Sequence, residues 1–94
     1  MSWKTREIAS VLKRKGFHEE RKTKHEFFRL HVGGKVTQVR THLSHGNQDI
    51  QKGSSLFAAM ARQLHLSNAE LEELLNCPLL KAGFIEVLQN KRVI

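Results

Sequence analysis

Six histidines and sixteen lysines and arginines supply most of the reactive chemistry in this 94-residue chain. His25 has the setting that best suits proton transfer. It stands in Lys22-Thr23-Lys24-His25-Glu26-Phe27-Phe28, with Arg21, Lys22 and Lys24 just before it. An imidazole titrates near neutrality and can give or take a proton in the working range. Neighbouring lysines can hold a phosphate and stabilise charge that develops on it. RNA asks for little more, because its own 2′-hydroxyl can attack the adjacent phosphate. Positioning and one proton-transfer group then suffice. The competing reading is an exposed strand histidine without a role.

The residues around His25 fit binding. Lys22, Lys24 and Arg29 can contact phosphates. Phe27 can stack on a base if it faces outward, or a partner or C-terminal helix can cover it. His31 shares the strand parity of His25 but lies about 20 Å further along, too far for an acid/base pair, so it reads as a binding residue. Arg40 and His42 extend the set. His42-Leu43-Ser44-His45 is an H-x-x-H pair, but the chain has one cysteine, and few acidic residues beyond Asp49 stand near. Phosphate contact is the better reading there, and nothing asks for a metal or cofactor. Ser54 opens a helix, where it can present free N–H groups to a phosphate or simply cap the helix. Cys77, before Pro78, lacks a nearby cation and reads as packing. His18 and His65 carry no assignment. There is no Ser/His/Asp arrangement and no usefully spaced pair of carboxylates.

The elements that must position these residues are legible from pattern. Ile8, Val11 and Leu12 give an N-terminal helix, capped by Ser2 or Thr5 and stopped at Gly16. Phe17 to Lys22 is a short polar strand. His25 to Val32 alternates, with Phe28, Leu30 and Val32 facing inward and His25, Phe27, Arg29 and His31 outward. Gly33-Gly34 is a hairpin signal, and Lys35 to Thr41 pairs back. Residues 43–53 read as loop. Leu56, Phe57, Met60, Ala61 and Leu64 form a helical stripe behind Ser54 or Ser55. Ser67 and Glu70 form a capping box for a helix faced by Leu71, Leu74 and Leu75. Asn76-Cys77-Pro78 breaks it, and Pro78 opens a last helix through Ile85, Val87 and Leu88. The expected fold is α+β, with helices packed on one face of a three-stranded antiparallel sheet.

Composition bounds the function classes. The length suits one domain, 1–94, with a small core. An apolar content of 39% is too high for a disordered tail, and no run is long enough to span a membrane. Met1 to Lys15 lacks the apolar core of a secretory signal. With a single cysteine, the expectation is a reduced, cytoplasmic protein. Residues 1–62 carry a net charge of +8, and residues 63–94 carry −1. The basic excess therefore sits in the first two-thirds, as a polyanion-binding face requires. Lysines serving only solubility would give the same count.

Taken in order, these signals resemble a family. A short helix ends in Gly16-Phe17. A charged strand leads to a Lys-His step, then a Gly-Gly hairpin, a third strand ending at a histidine, and Gly-Ser-Ser-Leu opening a helix. This is similar to the HicA-type mRNA interferases, toxins of type II toxin–antitoxin pairs, over residues 4–64. The resemblance implies a double-stranded-RNA-binding-domain-like helix–three strands–helix core, RNA cleavage by a strand histidine, and neutralisation by a HicB-type antitoxin. It places the catalytic role on His25, puts His42 at the close of the third strand, and puts Gly53-Ser54 at the opening of the second helix. Residues 66–94 form a helical extension that can cover the outer sheet face, extend the core or make a homodimer.

The expected function is thus a small metal-independent endoribonuclease acting on mRNA. His25 is its acid/base, and Lys22, Lys24, Phe27, Arg29, His31, Arg40, His42 and Ser54 bind RNA. A non-catalytic RNA-binding module on the same face, or an interaction protein docking through its C-terminal helices, are the alternatives.

Overall fold

The computed structural model describes residues 2–22, 25–44, 49–76 and 79–94, with the backbone alone described at 21, 22, 25 and 44. The chain is a small α+β domain. Its elements in order are β1 (Ser2–Lys4), α1 (Thr5–Arg14), β2 (Phe17–Lys22), β3 (His25–Val32) and β4 (Lys35–Ser44), then β5 (Asp49–Gln51), α2 (Ser55–Gln63), α3 (Asn68–Leu75) and α4 (Lys81–Asn90). β2, β3 and β4 form an antiparallel sheet in that order, and β1 pairs with β5 in a separate two-stranded ribbon.

α1 follows its apolar spacing: Ile8, Val11 and Leu12 are buried. Glu7 lies in its first turn, and Lys13 and Arg14 in its last, each matching the helix dipole. Neither Ser2 nor Thr5 caps it. Ser2 belongs to β1 and Thr5 is the first helical residue, so Lys4 is the N-cap. The Glu7 carboxylate accepts from the Lys4 backbone N–H at 3.3 Å. At the far end Gly16 adopts φ +103°, a conformation open to glycine, and carries the chain into β2. A Cβ there would also come within 2.9 Å of Lys81 Cε.

Gly33 and Gly34 join β3 to β4 with φ of 57° and 79°, the pair of positive values that a tight hairpin with native twist needs. Between Arg29 and His31 the β3–β4 register shifts. The Thr37 hydroxyl steps into the ladder there. It donates to the Leu30 carbonyl at 2.8 Å and accepts from the Val39 N–H at 3.2 Å.

Two expectations about residues 43–53 and 78 are corrected. β4 runs on to Ser44, and Asp49–Gln51 is a strand, with Trp3 opposite Ile50. Three residues that alternate exposed, buried, exposed give too little period to show in sequence. Pro78 lies outside the described residues, and the last helix opens later, at Lys81 behind an N-cap at Leu80. Leu56 also leaves the predicted stripe. It is exposed, while Phe57, Met60 and Ala61 are buried.

The extension thickens the helical layer. Leu66, Leu71, Leu74, Leu75, Phe84 and Leu88 are buried in the same core as Ile8, Leu12, Phe28 and Leu30. Phe84 stacks on Phe17 with ring centroids 5.8 Å apart. Buried Lys15 donates to the Leu79 carbonyl at 2.8 Å, tying the end of α1 to the approach to α4. Ser67 and Glu70 form the expected capping box on α3, and Lys91 from the end of α4 bonds the same Glu70 carboxylate at 2.6 Å. No helix among the described residues is long and apolar enough to cross a membrane.

Candidate nucleic-acid interface

The inner face of the three-stranded sheet is apolar because Phe28, Leu30, Val39 and Leu43 point into the core. Strand alternation then forces the intervening residues outward. His18, Arg40 and His42 are exposed, and Phe27, Arg29 and His31 are half-buried. These six come from three strands and meet on one surface.

The strand register arranges them in rows across the sheet. Phe27 lies opposite His42, and their rings meet with centroids 5.6 Å apart at 40°. Arg29 lies opposite Arg40. Like charges directly opposite in a sheet are destabilising. Here Glu20 on β2 offsets the pair from one side, with its carboxylate 3.9 Å from Arg29 Nε. A bound polyanion would offset it more fully. Beyond the arginines, the His18 and His31 imidazoles stack at 3.8 Å, 11° from parallel.

Sequence reasoning missed His18. The signal lay in the link between β2 and β3. With Lys22 paired to His25, the register sets His18 against Arg29 and leaves it diagonal to His31, within reach of a ring.

The other predicted residues fall into two groups. His25 opens β3, paired with Lys22 on one side and Ser44 on the other, and position 25 has the strand parity of 27 and 29. The side chains of Lys22 and His25 lie outside the described residues, as does the whole of Lys24, together with His45 and Cys77. Ser54 sits apart from the strands as the N-cap of α2, its hydroxyl accepting from the Phe57 N–H at 3.2 Å. His65 takes the left-handed conformation just past the end of α2, with φ 60°.

His42 has a second environment. With Thr5, Leu43, Ile50, Leu56, Met60 and Gln63 it borders a cavity of about 80 Å³ where β4 meets α2. Nearby, the buried Thr41 hydroxyl donates to Gln63 Oε1, holding β4 against that helix. Among the described residues, no three of His, Cys, Asp and Glu gather as a metal would need.

The surface can hold anions and flat rings. Guanidiniums bind phosphates through fixed donor geometry, and aromatic rings offer faces to bases. The fold is a small α+β domain in which, among the described residues, the helices pack on one face of the three-stranded sheet. No family model, no curated protein and no solved structure matches the chain.

Proposed function

We propose that the chain is a small endoribonuclease of the mRNA-interferase type, working from the outer face of the β2–β3–β4 sheet with His25 as its proton-transfer group. The observation that carries this reading is the open face itself: three imidazoles, two guanidiniums and a phenyl ring on one surface, with the core and helices on the other side. The order α1–β2–β3–β4–α2 supports a double-stranded-RNA-binding-domain-like core, to which α3 and α4 add helices packed in the same core.

In the reaction, the RNA 2′-oxygen attacks the adjacent phosphorus while His25 takes the hydroxyl proton. The bond from phosphorus to the 5′-oxygen breaks, that oxygen takes a proton from water, and His25 returns its own proton to solvent. The products are a 2′,3′-cyclic phosphate and a 5′-hydroxyl. Lys22, Lys24 and Arg29 hold the phosphate and stabilise the charge that builds on its oxygens. A HicB-type antitoxin is the partner this reading implies.

A second reading, an RNA-binding module without cleavage, is favoured by Thr23-Lys24, which precede His25 where the interferases usually carry Gly-Ser. One experiment separates the two. Wild type and His25→Ala are induced in a bacterial host and mRNA integrity is measured, with both proteins shown to be soluble and folded. Growth arrest and mRNA decay with wild type alone, and cleavage by the purified protein that persists in chelator, are the expected results. Intact mRNA with folded wild type overturns the nuclease and leaves the binding module.

A further inference from the structure

The outer face has an order that a simple basic patch lacks. Along β3, successive outward residues are Phe27, Arg29 and His31, about 7 Å apart. Each has a partner of its own kind on a neighbouring strand. Phe27 meets the His42 ring, Arg29 faces Arg40, and His31 stacks on His18. By ring contact and pairing with β4 the face is three rungs, rings, guanidiniums, rings, and on β2 the register sets Glu20 beside Phe27 and His18 beside Arg29.

We infer that the two ring rungs are base-stacking subsites flanking a guanidinium clamp for the phosphates between them. This rests on the reading of the sheet face as an RNA interface and adds what the face recognises. Bases inside a duplex stack on each other and hide their faces. Proteins that read duplex RNA rely on phosphates and 2′-hydroxyls across a wide minor groove. A ring rung has nothing to stack on there. In a single strand the bases splay out, and each offers a flat face whatever its identity. The outer rungs lie about 13 Å apart, so both can serve one strand running along β3. The guanidinium rung then lies under the backbone that joins the two bases. His18 acquires a role here that neither its position in sequence nor its own strand suggests. It covers one face of His31 and extends the stack that a base would continue.

The test uses a short 2′-O-methyl RNA of about 8 nucleotides, which binds but cannot be cleaved because the attacking hydroxyl is blocked. It carries one 2-aminopurine and is offered single-stranded or annealed to its complement. The wild-type protein is expected to prefer the single strand and to quench the 2-aminopurine. Phe27→Leu and His18→Ala are each expected to weaken single-strand binding by about 5-fold or more and to relieve the quenching. Both variants should keep the wild-type circular dichroism and thermal midpoint, which separates lost stacking from lost fold. Single-strand binding that is indifferent to both substitutions, or a preference for the duplex, overturns the subsites and leaves the RNA interface standing. Absence of any RNA binding at low salt removes the interface reading and the subsites with it. Stacking by a protein that cleaves nothing upholds the subsites and overturns only the nuclease.

Discussion

Arg40 offers a direct measure of whether the sheet face, and not the overall charge, holds RNA. It is exposed in the middle of the outer face, opposite Arg29. Arg29 is already engaged with Glu20, so Arg40 is the guanidinium more readily given to a phosphate. Each phosphate contact with a single strand contributes about 0.7 to the slope of log K against log salt. Arg40→Gln should flatten that slope by about 0.7. The advantage of wild type over the variant should then shrink about 2.5-fold between about 50 and 200 mM salt. The control is Arg6→Gln, on the helical layer. It removes the same unit from the net charge of +7. The domain measures 32 × 28 × 19 Å. With a Debye length of about 10 Å at 0.1 M salt, a charge on the far layer is largely screened from the face. Binding would be followed by fluorescence polarisation of a labelled, uncleavable single-stranded RNA over a salt series. A slope change for Arg6→Gln as large as that for Arg40→Gln would refute the reasoning, because net charge alone would then account for the affinity.

Two further outcomes concern the scaffold. Phe84 is fully buried against Phe17, so Phe84→Ala should cost about 3–5 kcal/mol in urea unfolding. Trp3, stacked on Phe57 and donating from its indole N–H to Asn76 Oδ1 at 3.3 Å, should report the same midpoint as circular dichroism; a small loss with separate transitions would mean the extension is not part of one cooperative core. The Lys91 ammonium, together with the Ser67 backbone N–H, holds the Glu70 carboxyl below its ordinary value of 4.5. The carboxylate is the form these partners favour, so its contribution is complete above pH 4.5 and disappears as pH falls through the lower folded value. Glu70→Gln should therefore destabilise at neutral pH by about 1 kcal/mol or less, and the gap from wild type should close in acid. A gap that persists unchanged into acid would remove the carboxylate from the account.

Local signals in the sequence were sufficient where the physics is local. The alternation of His25–Val32 defines β3 and its two faces, and Gly33-Gly34 defines the hairpin, because a strand's period is two and a tight turn needs two positive φ values. Gly16, Ser54 and the Ser67–Glu70 box mark helix ends through bonds that span only a few residues. The outward set of Phe27, Arg29, Arg40 and His42 follows from the same alternation. Tertiary structure decided the rest. β1 finds β5 across nearly fifty positions, a pairing that three-residue segments cannot announce. The extension lies on the helical side because Phe84 and Leu88 are satisfied by a core that α1 and the sheet build together. The His18–His31 stack exists because the β2–β3 register sets His18 opposite Arg29 and so diagonal to His31 on the same face. Register and layer are set by which distant apolar surfaces bury together, and no window of neighbouring residues contains that information.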